Sequence, residues 1–431
     1  MKKILFIGDL RVDYNYGAMA TTTCLLDMLK QQNYDAEYRF IALRSLYGPT
    51  PRKGFPKKTT DRNRSVDKLK TIIKNIVPQK LISTIRGSKS SNSSSDFVPY
   101  KFSQYEDYYK MMMDEGTSSL KYEKDLLTWA DVVLINGEGN IVQGTDKYGK
   151  YRLGARYILF MAWVSKIKFK HPTIIVNHCI DPGNANAFEM IEGIYPHLDE
   201  IIVRDPLSLN LLKNHDIRNA KWAADALFSY QSLEEEWEPS PELRKQIDFN
   251  KPYICIGDSS GIKNSYNQVK WDVVSVFSEM ISKIRMVVPQ IIFIDGYCGE
   301  NEHINQIIKD NSIGSISPQN CNYRELYQVF KRSEVFVSGS WHASILCVLE
   351  NTPIVSYGAD SHKTKSLYTI LDYPYRFFET ASLPVNIDEL VNTVKDVIRE
   401  KSIIKAQLNA KIDSLSNNAF ENARVLDKYI D

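Results

Sequence analysis

The chain reads as two doubly wound α/β domains facing each other across a cleft, followed by a helical tail. Three observations predict this. Short apolar runs of strand type alternate with longer amphipathic segments in two series, separated by a charged, Pro-containing stretch at 229–250. Loops rich in Gly, Asn, Asp and Ser follow the strands at their carboxyl ends, where open α/β sheets place their ligands. With 431 residues, 43% hydrophobic and 25% charged, the chain has the length for two full cores and the composition of a globular protein.

The first series opens with a strand at 3–8, a polar loop, and a helix from Gly17 to about 32, then a strand at 38–43. After an interruption it resumes with a strand at 131–135, a helix at 154–168, a strand at 173–178 and a helix at 184–195. A strand Glu200–Val203 and a helix Pro206–Asn214, with Pro at its first position, follow. The second series runs through a strand Tyr253–Gly257, a helix at 271–288, a strand at 291–294 and helices near 300–309 and 323–330. It ends on a strand at 334–337, a helix carrying His342 in its first turn, and a strand at 353–357. Residues 387–431 read as helix that packs back toward the first domain. The expected division is therefore 1–228, a linker at 229–250, 251–385 and a tail at 386–431.

Several classes are excluded. A formal net charge of +2 gives no global field for nucleic acid. No run approaches the roughly 18 apolar residues of a membrane span. Lys2 and Lys3 precede only five apolar residues before Asp9, the pattern of a first strand and not of a signal peptide. The six cysteines are scattered without a CxxC pair and read as reduced core residues. With no ligand-type spacing, neither a metal nor a cofactor is expected, and the chain is expected in the cytoplasm.

The interruption at 48–126 is lopsided in charge. Between Arg52 and Lys89 stand 12 basic residues against Asp61 and Asp67, while Val66, Leu69, Ile72, Ile73, Ile76 and Val77 fall at helical spacing. Two readings stand side by side: a basic amphipathic helix lying peripherally on the anionic inner face of a membrane, or a surface helix with a solvated basic face. The Ser-rich segment 88–96 reads as flexible linker.

The stretch around His342 carries most of the chemical content. Ser338, Gly339 and Ser340 form a strand-to-helix turn whose backbone N–H groups suit an anion at a helix N-terminus. The next strand delivers His362, Lys363 and Lys365 beside it. Asp258, Ser259 and Ser260, before Gly261, follow the first strand of this series and offer further amides and hydroxyls. In the first series, Asp13, Asn15, Tyr16 and Gly17 precede the first helix. Asn136, Glu138 and Asn140 alternate with two glycines after a buried strand, in a spacing that is neither GxGxxG nor a P-loop. His178, Arg204 and Asp225 end the later strands. Together these loops predict a pocket for a small anion facing a hydroxylated acceptor.

Taken in order, NYGA (Asn15–Ala18), LINGEGN (Leu134–Asn140), VRDPLSLNLL (Val203–Leu212), AAD (Ala223–Asp225) and SGSWHASILCVLENTPIVSYG with the later HK resemble the polysaccharide pyruvyl transferase family. The likeness spans roughly residues 1–45 and 125–372. It implies Rossmann-like domains in a GT-B-like arrangement, and transfer of pyruvate from phosphoenolpyruvate to a pair of hydroxyls on a sugar, oligosaccharide or lipid-linked glycan, giving a ketal of a cell-surface polysaccharide. The chain departs from the family pattern at Ser340-Trp341, where many members carry Arg, and at the Gly-Glu-Gly turn. On this reading Ser338, Gly339, Ser340, Asp258, Ser259, Ser260, His362, Lys363 and Lys365 bind the donor. Asn15, Tyr16, Gly17, Asn136, Asn140 and Arg204 bind the acceptor. His342 is the phosphate partner or acid, and Glu138 is the base with Asp13 or His178 in reserve. A nucleotide-sugar glycosyltransferase, or a binding protein that kept the fold and lost the chemistry, are the alternatives.

Overall fold

A computed structural model describes residues 1–11, 15–43, 98–114, 120–142, 153–182, 185–231, 237–263, 269–296, 302–359 and 361–430. Asp13 and the basic segment 52–89 lie outside the described residues. No helix among the described residues is long and apolar enough to cross a membrane.

The first domain holds β1 (Lys2–Ile7), α1 (Tyr16–Gln31), β2 (Ala36–Ile41), α2 (Tyr105–Met113), α3 (Lys121–Trp129), β3 (Val132–Val142) and α4 (Leu153–Trp163). It continues through β4 (Thr173–Asp181), α5 (Ala185–Ile194), β5 (Glu200–Val203), α6 (Pro206–Asn214) and β6 (Ala220–Trp222). Its sheet is parallel in the order β2-β1-β3-β4-β5-β6. Strand alternation sorts the core: Ile4, Phe6, Leu134 and Val176 fill one face, while Leu5, Ile7, Ile135 and Ile175 fill the other.

A short helix α7 (Pro241–Gln246), begun by a Ser240 cap and Pro241, lies inside the expected linker. The second domain follows with β7 (Tyr253–Gly257), α8 (Val273–Arg285), β8 (Gln290–Ile294), α9 (Glu302–Asn311), β9 (Gly314–Ile316) and α10 (Tyr323–Arg332). It closes with β10 (Phe336–Ser338), α11 (Trp341–Leu349), β11 (Ile354–Ser356) and α12 (Lys363–Leu371). This sheet is also parallel, in the order β11-β10-β7-β8-β9.

The tail, α13 (Ile387–Arg399), α14 (Lys401–Ala419) and two short helices, returns to the first domain. Buried Asn422 accepts from Asn177 N (2.9 Å) and donates to Ala224 O (2.9 Å), and Asn418 accepts from Ala224 N (2.6 Å). A single apolar core runs from one face of the first sheet through α1 and α11 into the second domain and the tail, so the two domains are packed together.

Strand order reverses between β1 and β3 in one sheet and between β7 and β10 in the other. Loops leaving strands on either side of a reversal diverge and open a crevice, and the two crevices face each other. One expectation is corrected here. The Gly-Glu-Gly segment is not a free loop: β3 runs on to Val142, pairing Glu138 with His178 and Ile141 with Ile180 across a bulge.

Candidate active site

α11 begins at Trp341, and its cap residue Ser340 gives the helix no side-chain hydrogen bond. The first N–H groups of such a helix have no intrahelical partner and attract anions. The turn before it is held shut from below: Ser338 Oγ donates to Asp258 O (2.8 Å) and accepts from Ser340 N (3.0 Å). His342 projects from this first turn across the domain boundary and lies on Gly17, at the start of α1. A Cβ at Gly17 would stand 2.2 Å from His342 Nδ1. Ala is the better helix former by about 1 kcal/mol, so close approach of the imidazole is the physical reason for glycine at this position.

On its other side the imidazole meets three charged groups of the first domain. His342 Nε2 lies 3.0 Å from Glu138 Oε1, 3.5 Å from Asp225 Oδ2 and 3.0 Å from Arg204 Nη1. Arg204, 1% exposed, donates to Glu138 Oε1 (3.1 Å) and to fully buried Asp225 (2.8 Å). Asp225 also accepts from Trp341 Nε1 (2.8 Å), Thr21 Oγ1 (2.7 Å) and Leu227 N (2.9 Å). Burial opposes charge on the imidazole, but Glu138 and Asp225 outweigh it and raise His342 above the usual histidine range. Against the same burial, Arg204 and then His342 hold Glu138 well below the carboxylate range, and Arg204 holds Asp225 low. The cluster therefore sets Arg204, and an imidazole whose charged form is favoured, against two carboxylates. The backbone is bent to fit: Glu138 (φ 46°) and Asn177 (φ 53°) both adopt left-handed conformations beside bulges, at a cost of about 1–3 kcal/mol each.

In front of the cluster is a cavity of about 380 Å³, within the range of small-molecule sites. Asn15, Tyr16, Gly17, Glu138, Asn140 and Arg204 line it from the first domain. Asp258, Ser260, Ser338, Ser340, His342 and Lys363 line it from the second. Most of the residues expected on the acceptor and donor sides thus converge. Asn15 also caps α1, accepting from Ala18 N (3.0 Å), and Asn140 donates to Gly137 O (2.9 Å).

Other residues fall elsewhere. Asn136 is fully buried and donates to Gly8 O (3.1 Å) and Thr22 Oγ1 (3.1 Å), a brace beneath the site. His178 is sealed between Tyr195 OH (2.7 Å) and Glu138 O (3.3 Å), and burial pushes it down to about 4, so it supports the Glu138 backbone as a neutral ring. Ser259 is buried and donates to Gly358 O (2.5 Å). Gly339 packs where a Cβ would meet Ser259 at 2.5 Å. Lys365 faces a second cavity and pairs with Glu379 at 3.4 Å. His362 lies on that second cavity too, between Asp181 (3.4 Å) and Asp205 (3.0 Å) of the first domain. There Cys179, Asp205 and His362 bring ligand-type atoms within 4.8 Å of one another. Their separation along the chain, 179 to 205 to 362, is why spacing showed no such cluster. Trp341 and Asp225, which anchor the charged group, were assigned to neither the donor nor the acceptor side from sequence.

Two facing parallel α/β domains with a cavity between them define the GT-B architecture. Solved structures of similar fold include UDP-GlcNAc 2-epimerase from Neisseria meningitidis bound to UDP-GlcNAc (12% identity, 99% of this chain and 100% of that one, TM-score 0.56). Phytolacca americana UGT2 complexed with UDP-2fluoro-glucose and pterostilbene is another (9% identity, 100% of both chains, TM-score 0.52). TcCGT1 in complex with UDP is a third (10% identity, 99% of both chains, TM-score 0.53). At these identities the likeness is one of fold. No curated protein sequence matches the chain. The chain belongs to the polysaccharide pyruvyl transferase family, whose model, described as "Polysaccharide pyruvyl transferase", matches residues 15–361.

Gly17→Ala tests the packing of His342. The Cβ displaces the imidazole, and a misplacement near 1 Å lowers turnover roughly 10²-fold. Because the added Cβ would also stand 2.4 Å from His342 Cβ, which no ring rotation relieves, the melting temperature should fall as well. Unchanged turnover would show that the ring tolerates the displacement.

Proposed function

We propose that this chain transfers pyruvate from phosphoenolpyruvate to two hydroxyls of a sugar acceptor, forming a cyclic ketal and releasing phosphate. The observation that carries the reading is His342 at the uncapped start of α11, held against Arg204 and Glu138 at the wall of a small cavity. A donor with a carboxylate and a phosphate needs cations and helix-terminal amides, and Arg204, Lys363 and the first turn of α11 supply both.

The chemistry then balances around one imidazole. His342 gives its proton to the methylene carbon of the enol, leaving an oxocarbenium-like centre at the carbon that bears the phosphate. A sugar hydroxyl attacks that carbon, and its proton returns to the now neutral His342. The C–O bond to phosphate breaks, the second hydroxyl closes the ketal, and its proton leaves with the phosphate. Arg204 stabilises the anionic donor throughout. The base role expected of Glu138 passes to His342 on this reading, because a carboxylate held well below its usual range is a poor proton acceptor. Glu138 instead keeps the imidazole charged between turnovers.

Separate thermal titrations with phosphoenolpyruvate and UDP test the donor. A ligand at about 100 times its Kd stabilises the native state by about 2.7 kcal/mol. Phosphoenolpyruvate should raise the melting temperature and UDP should not. The reverse pattern would replace this reading with nucleotide-sugar transfer.

His342→Gln, which keeps a polar side chain, should lower kcat by about 10²–10⁴-fold as measured by phosphate release. The wild-type pH profile should show activity falling as pH rises through a value above 6.5, because the charged imidazole is the acid and its pKa is raised. The linked stability has the same sign: it is whole below about pH 6.5 and fades as pH climbs past the folded value. A profile flat through this range would remove His342 from the acid role.

A further inference from the structure

We propose that Cys179, Asp205 and His362 form a binding site for one zinc-like divalent cation that ties the two domains together, separate from the cavity at His342. Cys179 and Asp181 stand at the carboxyl end of β4, Asp205 is the N-cap of α6, and His362 comes from the second domain, just before α12. One thiol sulfur, one carboxylate oxygen and one ring nitrogen lie within 4.8 Å of one another, which modest side-chain adjustment converts to a shared ion. Sulfur, nitrogen and oxygen in one set suit zinc better than magnesium or calcium, which take oxygen alone.

The surroundings match what a metal-bound imidazole needs. His362 turns Nε2 toward Asp205 Oδ1 (3.0 Å) and Ser208 Oγ (3.2 Å), while its other nitrogen, Nδ1, faces Asp181 Oδ2 (3.4 Å). A carboxylate on the far ring nitrogen is the usual partner that orients a ligating histidine. His362 N also donates to Asp181 Oδ2 (3.0 Å), fixing the backbone. Ser208 Oγ, 3.8 Å from Cys179 Sγ, or a water fills the fourth position. Asp205 already accepts from Ser208 N (2.8 Å), Ser208 Oγ (2.5 Å) and Ser366 Oγ (3.0 Å). A carboxylate has about four acceptor sites; His362 Nε2 takes the fourth, and the ion that replaces its proton takes that place. Cys179 and Asp205 are buried, but the cavity of about 390 Å³ lined by Asp181 and His362 gives access from solvent. On binding, the ion replaces the proton at His362 Nε2 and the thiol proton of Cys179, both of which leave to solvent.

Cobalt(II) is the probe, because a bound thiolate gives it a charge-transfer absorption that oxygen and nitrogen ligands do not. Full-length chain stripped with chelator and then titrated with Co²⁺ should develop this band at one equivalent, and Zn²⁺ should abolish it. Cys179→Ser should lose the band while still unfolding cooperatively. His362→Gln, at the cavity rim, should weaken Co²⁺ binding at least tenfold, and decides the matter if Cys179→Ser fails to fold. Absence of the band in wild type, or its persistence in His362→Gln at unchanged affinity, would overturn the site and leave His362 as a hydrogen-bonded clasp only.

Discussion

The ion pair between Arg204 and Asp225 is the constraint on which the rest of the site depends. Both side chains are essentially removed from water, and a buried charge survives only with a well-placed partner. Losing one member of such a pair typically costs 3–5 kcal/mol, since the other charge remains stranded. Asp225 does more than neutralise Arg204. It collects donors from α1, from the turn after β6 and from Trp341 of the second domain, so its satisfaction requires the domains to be together. Glu138 and His342 then complete a four-membered cluster, in which the two carboxylates favour the charged form of the imidazole.

That arrangement brings the cation and the imidazole of the site together from opposite sides of the cleft. Position 341 is a tryptophan whose indole N–H is spent on Asp225, and whose ring lies 5.4 Å from the Arg204 guanidinium. The guanidinium comes from the end of β5 in the facing domain. Cation and imidazole thus arise from different domains and meet only when the cleft is assembled, coupling the geometry of the site to the packing of the fold.

Much of the architecture was legible because it rests on local rules. Tyr253–Gly257 and Glu200–Val203 are short apolar runs, and Pro206 at a first helical position marks its helix without tertiary information. The convergence of Asn15–Gly17, Glu138 and His342 followed from the placement of ligands at strand ends. What escaped the sequence is of another kind. Left-handed backbone at Glu138, not a glycine, lets β3 continue where a turn was expected, and Asn177 takes the same conformation inside β4. Burial of Asn136 and His178 is decided by what packs over them, and a polar residue between apolar ones looks the same whether it faces a ligand or a neighbouring strand. The meeting of Arg204 with His342 spans 138 residues, and that of Cys179 with His362 spans more, so no spacing rule reports either.

The most direct test of the central claim is the titration of His342 itself, followed by NMR on histidine-labelled protein, with His342→Gln used to assign its signal among the seven imidazoles. The account predicts that His342 stays protonated above the usual histidine range and that phosphoenolpyruvate shifts its resonance. An imidazole that titrates near 6.5 and ignores phosphoenolpyruvate would contradict it.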